Sequence, residues 1–597
     1  MTAPDVQEAP RAEAGPGPLP PAPRSQAALV ALLALGVFAG TLLNGFVYDD
    51  QQLVLENPWI RSLAGMREPF RQSLFGFLES STAQDARSHY YRPLMHVFLF
   101  VLRQAAGPTA WVHHLALMLG HAAVSVGVLW LLRTCLVRGR PAAQGAAGDW
   151  AALGGALLFA LHPVHTEAVA WVSGAMDVGM TLLLLVAARL WLPVPATAGR
   201  ALLASGVWLA ALLVKETAFV LPVLLWSLER VVASAEARGG WGPWLRRQAL
   251  LGVGGAVYLG LRLSALEGAL PGTPPVDGVS RVGGVLAFTA DLGGKLAWPA
   301  PLAVLSPGGP VHSLLEPRVW LGGLLLLSAL VLSARAWRRG PAAAGMGWVW
   351  LGAPMVPAFV LQARGVDAYA ERYLYLPSVG FALLVTVALR SALSRFPERA
   401  RPLALVSGGV LAVFAALTLA YVPAWRDDLS LWTWVQARVV DQPLIHLKLG
   451  DLHLGAGRLD AAIPELELAA RGLPGDFRVH NNLAVAYAKS GRMGDARRAL
   501  ERTARLMPDN PVAWHNLGLV SRREGDWDTA IARFRDALRL APDRVDSLLE
   551  LGRTLLRAGR AGEAIAPLEE ALRLRPDLVA ARKALAEARA AASPPPR

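Results

Sequence analysis

A chain of 597 residues with 54% hydrophobic and 17% charged side chains and a mean hydropathy of +0.37 is too long for one core. It is also too apolar for an ordinary soluble protein, where about 45–50% apolar and about 25% charged residues are usual. The lone cysteine, Cys135, excludes an intrachain disulfide and a cysteine zinc site. The net charge of +13 does not call for nucleic acid, and no such partner is expected. The arginines flank apolar runs as positive-inside loops do: Arg133, Arg138 and Arg140; Arg230, Arg238, Arg246 and Arg247; Arg335, Arg338 and Arg339; Arg390, Arg395, Arg399 and Arg401.

Residues 1–25, rich in Pro, Ala and Gly, read as a disordered cytoplasmic tail. The apolar run 26–44 enters Tyr48-Asp49-Asp50 without a small-residue cleavage site and reads as a retained signal-anchor. Further runs lie near 109–132, 150–162, 168–192, 201–214, 217–232, 249–265, 319–335, 344–361, 376–393 and 403–422, giving about 11 spans. The broken stretch 283–303, with Asp291, Lys295, Pro299 and Pro301, is expected along the outer surface. A transmembrane domain over 26–425, a linker over 426–440 and a soluble region over 441–592 follow. With the N-terminus inside, every basic cluster is cytoplasmic, and four polar clusters share the outer face: Tyr48-Asp49-Asp50, His162 to Glu167, Lys215-Glu216 and Glu371-Arg372-Tyr373.

In the soluble region, Pro474, Pro508, Pro542 and Pro576 recur every 34 residues, the tetratricopeptide period. In that register Gly450, Ala484, Gly518 and Gly552, then Ala462, Ala496, Ala530 and Ala564, fall at close helix contacts that only small side chains allow. Four repeats and a capping helix near 578–592 are expected, with a groove for a peptide or partner protein.

The outer-face residues leave several readings open. Asp49 and Asp50 are a functional pair or a solvated turn at a helix end. His162, His165 and Glu167, with Asp177 beyond, have no established zinc spacing, so a hydrogen-bonding shell around a substrate is favoured over metal; neither metal nor cofactor is expected. His114 and His121 share one helix face and could point to the same cluster or sit in the interior. Arg92, in Tyr90-Tyr91-Arg92-Pro93, and Arg372 run against the positive-inside bias, which suits an anionic lipid phosphate or an aromatic anchor at headgroup level.

The segments Val47-Tyr48-Asp49-Asp50 with Asn57-Pro58, Tyr91-Arg92-Pro93-Leu94, His162 to Val169, Lys215-Glu216-Thr217 and Glu371 to Ser378, followed by tetratricopeptide repeats, resemble the transmembrane and tetratricopeptide repeat-containing O-mannosyltransferases and their bacterial relatives. The resemblance implies an all-α architecture: a GT-C glycosyltransferase bundle followed by a tetratricopeptide solenoid. It implies inverting transfer of a sugar from a polyprenyl-phosphate carrier to a hydroxyl, with an acidic base in the first outer loop. That position falls on Asp49 or Asp50, with Asp49 favoured. A carboxylate is needed because a Ser or Thr hydroxyl is a poor nucleophile. Arg372, Arg92 and Lys215 are then expected at the leaving phosphate. His162, His165, Glu167, Asp177, Glu216, Glu371 and Tyr373 are cast as orienting groups, since a single displacement needs no carboxylate nucleophile. Where the family often has Ser-Gly-Arg-x-Asp, this chain reads Ser173-Gly174-Ala175-Met176-Asp177, and Leu117 replaces a family asparagine. Expected partners are the lipid-linked sugar, membrane lipid and an acceptor protein held by the repeats. The arginine-rich basic set fits a bacterial inner membrane with the repeats in the periplasm. A second reading is a non-catalytic membrane scaffold carrying the repeats; a transporter is weaker, since no internal repeat of the spans is seen.

Overall fold

The computed structural model describes residues 23–78, 90–137, 142–192, 194, 196–233, 241–266, 278–306, 308–309, 311–364 and 369–592. Residues 1–22 of the expected tail, and Arg138, Arg140 and Arg238, lie outside them. Among the described residues all regular elements are helical. The chain divides into two compact units, Met1–Val439 and Val440–Arg597.

In the first unit seven described helices are long and apolar enough to cross a membrane: Arg24–Leu43, Ala110–Leu136, Val172–Trp191, Pro317–Arg339, Ala342–Ala363, Pro377–Arg395 and Pro397–Trp425. Pro93–Ala106, Gly148–Leu161 and Ala198–Val214 are shorter apolar helices. Their shared core includes Phe38, Leu129, Leu132, Phe159, Leu184, Trp191 and Trp350, all buried. The stretch expected to lie along a surface forms the helix Gly278–Ala297. It packs against Pro317–Arg339 so closely that a Cβ on Gly322 would sit 1.7 Å from the Leu286 carbonyl oxygen. The helix Pro93–Ala106 was not expected; Pro93, with its fixed φ, starts it, and its 14 residues fall short of a full span. The expected linker carries the helix Asp428–Gln436, because Leu431, Trp432 and Val435 share one buried face.

Each long apolar run stops at a polar segment. The first helix gives way after Leu43 to the turn holding Asp49. The helix Ala198–Val214 ends at Lys215, and the short helical turn Glu371–Leu374 precedes Pro377. These ends position the site described below.

The second unit is a series of antiparallel helix pairs: Pro443–Gly455 with Leu459–Gly472, Phe477–Lys489 with Met493–Leu506, Pro511–Arg523 with Trp527–Leu540, and Val545–Arg557 with Ala561–Leu574. The helix Val579–Ala592 follows. Small residues do what the 34-residue register requires: a Cβ on Gly450, Gly518 or Gly552 would come within 2.6, 2.7 or 2.5 Å of Leu466, Phe534 or Leu568. A second set with the same period, Gly457, Gly491, Gly525 and Gly559, turns each pair at φ between +72° and +84°, where L side chains are strained.

Candidate active site

One cleft, with about 460 Å³ of empty space partly open to solvent, gathers residues from six separate chain segments. Its wall holds Asp49, Arg92, Lys215, Arg372 and Tyr373, lined further by Tyr90, Trp171, Ser173 and the apolar Leu53, Leu74, Phe75 and Met176. Asp49 is the sole carboxylate among these lining residues.

Each cation on the wall is fixed by its own carboxylate outside the lining. Arg92 makes two parallel hydrogen bonds to Glu216, Nε to Oε2 at 2.9 Å and Nη2 to Oε1 at 2.5 Å. Lys215 Nζ meets Asp177 Oδ1 at 2.6 Å. Arg372 Nη1 pairs with Glu167 Oε1, and its backbone N–H donates to Glu167 Oε2 at 3.2 Å. Aromatic rings complete the setting: Arg92 lies 4.2 Å over Tyr90, Arg372 4.9 Å over Trp171, and Tyr373 lies under both Lys215 and Arg372 at 5.1 and 5.4 Å. Burial and the nearby charges of Arg92 and Arg372 push the Lys215 amine down against the pull of Asp177. Burial opposes ionisation of Glu216, but the charge and hydrogen bonds of Arg92 hold it at about 2.

The two acids of the first loop separate. Asp49 is partly exposed on the cleft wall. Asp50 is fully buried, its Oδ1 accepting from the Ser173 N–H and Oγ at 2.8 and 2.6 Å and its Oδ2 from the Val47 N–H at 3.2 Å. Burial pushes its carboxyl up to about 7. Asp50 thus ties the Asp49 turn to the Ser173-Gly174 turn and does not reach the cleft. Gly174 makes that join possible: a Cβ there would sit 2.8 Å from the Glu167 carbonyl oxygen.

Several expected orienting groups turn out to act at a distance from the cleft. Glu167, Asp177 and Glu216 orient the cations themselves. The buried Glu371 faces the other way, accepting from Lys295 Nζ at 2.8 Å and the Ala303 N–H at 2.9 Å; burial raises it to about 7. The histidines do not converge on the cleft. His162 caps the turn Pro163–His165 by accepting from the Val164 N–H and donates to the Leu296 carbonyl at 3.0 Å. His165 donates to Ser378 Oγ at 2.8 Å. His114 and His121 bond the Gly45 and Ala160 carbonyls. Each imidazole lies in tightly packed interior, where a ring nitrogen pairs a backbone carbonyl or, for His165, a serine hydroxyl that burial cuts off from water. Among the described residues no three His, Cys, Asp or Glu side chains are placed to hold a metal ion. Sequence reasoning missed Trp171, Ser173, Met176 and Phe75 as cleft residues, although an aromatic residue beside each outer-face arginine was a usable signal.

The fold and site define an integral membrane helix bundle with a polar cleft built from its loops, joined to tetratricopeptide-type repeats. Comparison with known proteins agrees. The chain is 24% identical over 488 residues to the mouse (Mus musculus) protein O-mannosyl-transferase TMTC4, a match over 73% of this chain and 65% of that protein. It is 34% identical over 148 residues to Tmtc2 of Drosophila melanogaster, 24% of this chain and 14% of that protein. With human (Homo sapiens) TMTC2 it shares 32% over 161 residues, 26% of this chain and 17% of that one. Its curated relatives are thus TMTC O-mannosyl-transferases, and the matches span about two thirds of one of these three and less than a fifth of the others. The family model described as the Cilia and flagella-associated protein 70 C-terminal domain matches residues 433–595. Among solved structures, a MamA protein aligns at 21% identity and a TM-score of 0.24, covering 25% of this chain and 81% of that one. MamA from Desulfovibrio magneticus RS-1 aligns at 16% and 0.24, covering 25% and 85%.

Proposed function

We propose that this protein is a membrane glycosyltransferase of the GT-C type that moves a sugar, mannose by analogy with its relatives, from a polyprenyl-phosphate carrier to protein Ser or Thr hydroxyls on the non-cytoplasmic face. The observation that carries this reading is the cleft wall, where one carboxylate, Asp49, stands among three cations whose own counter-ions lie outside the lining.

The chemistry follows from that arrangement. Asp49 accepts the proton of the acceptor hydroxyl as its oxygen attacks the anomeric carbon. The bond from that carbon to the phosphate oxygen breaks on the opposite face, so a single displacement inverts the anomeric configuration. Arg372, Arg92 and Lys215 stabilise the charge that grows on the departing lipid phosphate. Because each cation already has a carboxylate partner, the wall suits the single negative charge of a phosphodiester better than the higher charge of a nucleotide diphosphate sugar. The non-cytoplasmic placement, periplasmic in a bacterial inner membrane, rests on the basic clusters at the other loops. We assign residues 26–425 to the transferase bundle and 441–592 to the repeats, which present the acceptor.

Ala175, in place of the family's usual arginine, favours a second reading as a non-catalytic scaffold. Incubating the purified full chain with a panel of radiolabelled polyprenyl-phosphate sugars and Ser/Thr peptides separates the two. Transfer with inversion supports the enzyme; folded protein that binds acceptor peptides but transfers from none of the donors supports the scaffold.

A further inference from the structure

Tyr48, next to Asp49, is the one non-glycine residue among those described with a positive φ, +56°. An L residue with a large side chain is strained there and stays only where its surroundings hold it. Those surroundings come from the far end of the first unit. The Tyr48 N–H donates to Asp428 Oδ1 at 2.8 Å across 380 residues of sequence. Asp428 opens the helix Asp428–Gln436, and Trp432 on that helix meets the Tyr48 ring at 6.1 Å between centroids, with Trp171 on another side at 5.9 Å. Nearby, the Gly45 N–H donates to the Arg426 carbonyl at 2.9 Å and Asn44 Nδ2 to the Val422 carbonyl at 3.3 Å. The stretch Val422 to Trp432 thus grips the turn from one side, while Asp50 and Ser173 grip it from the other.

We propose that Asp428 is a positioning residue: by holding the Tyr48 amide it keeps the turn in its strained form and aims the Asp49 carboxylate into the cleft. The catalytic consequence rests on the reading of Asp49 as the base; the mechanical one does not. Without the acceptor oxygen, Tyr48 relaxes toward a negative φ, the peptide plane between Tyr48 and Asp49 rotates, and the Asp49 carboxylate swings relative to Arg372 and Lys215. Asp428 touches no reacting atom in this account.

Two readouts on the purified full chain test it. Hydrogen exchange of the backbone amides over residues 44–53 reports the tether without any need for catalysis. Transfer kinetics with polyprenyl-phosphate mannose report the aim of Asp49. For Asp428→Ala, exchange in this stretch accelerates about tenfold. Transfer loses about tenfold to a hundredfold in kcat with KM within about twofold, since geometry and not donor affinity has changed. Asp428→Asn, which keeps an acceptor oxygen, retains most of the wild-type rate. Tyr48→Gly placed in the Asp428→Ala background restores part of kcat, because glycine adopts positive φ without strain. A general loss of folding would raise exchange throughout the bundle and would not be rescued by glycine. Unchanged exchange over 44–53 in Asp428→Ala overturns the tether, whatever the activity. Faster exchange with unchanged kcat overturns the positioning role. Wild-type protein that transfers nothing refutes the proposed function, while the exchange result still decides the tether.

Discussion

Lys215 Nζ and Asp177 Oδ1 lie 2.6 Å apart with side chains 4% and 5% exposed, so the ion pair is shielded from water on nearly every side. Removing one partner strands the other. Asp177→Ala should destabilise the bundle by about 3–5 kcal/mol, because it leaves an uncompensated buried ammonium. Asp177→Leu combined with Lys215→Met should recover much of the melting temperature yet not donor binding. Melting curves of the three proteins in one detergent, with donor titration, check both halves.

Arg372 pairs with Glu167 through both its guanidinium and its backbone N–H. A lysine keeps the charge but loses the planar fork that matches phosphate oxygens. Arg372→Lys should raise KM for the lipid-linked donor about tenfold and lower kcat as well, since the proposed mechanism sets the same fork against the leaving phosphate. Initial-rate kinetics across donor concentrations would show it, and an unchanged KM would remove Arg372 from the donor site.

Stability should respond to pH in two opposed windows. Burial pushes Asp50 from 3.8 and Glu371 from 4.5 up to about 7. Between those values the folded chain holds more protons than the unfolded one, so both groups make stability fall as pH rises toward 7. Glu216, held at about 2 by Arg92 against its ordinary 4.5, adds stability that is full above 4.5 and is lost as pH falls toward 2. Asp50→Asn should therefore flatten the decline in melting temperature between pH 4 and 7 relative to wild type. Parallel curves for the two proteins would contradict the buried setting of Asp50.

In the repeats, a Cβ on Gly518 would press to 2.7 Å of the Phe534 ring. Gly518→Val should cost about 1–3 kcal/mol by overpacking, seen as a lower melting transition in the full chain. The exposed Gly494, with no neighbour nearer than 3.9 Å, should tolerate Ala.

How much of this was legible in the sequence differs by feature. The 34-residue period of Pro474, Pro508, Pro542 and Pro576 fixes the repeats because it is local and recurs in phase. The gathering of Asp49, Arg92, Lys215 and Arg372 was also readable, because each interrupts or ends an apolar run. The pairings were not. Arg92 with Glu216 and Arg372 with Glu167 join residues 124 and 205 positions apart, and such contacts depend on which helix ends pack together. Nor could sequence separate Asp49 from Asp50: neighbouring acids have the same composition around them, and only the Ser173 turn shows which is buried. His162 and His165 read in sequence as a shell around a substrate, but they pair instead with the Leu296 carbonyl and the Ser378 hydroxyl, since a histidine near a helix end suits either role.

The most direct test of the central claim is the rate of mannose transfer from a polyprenyl-phosphate donor to a Ser/Thr peptide by the full chain, compared with its Asp49→Asn and Asp50→Asn variants. Asp49→Asn should lose about 10²- to 10⁴-fold of the rate while keeping its melting temperature and donor binding, and Asp50→Asn should keep a larger residual rate. Wild-type transfer that survives intact in Asp49→Asn would contradict that claim.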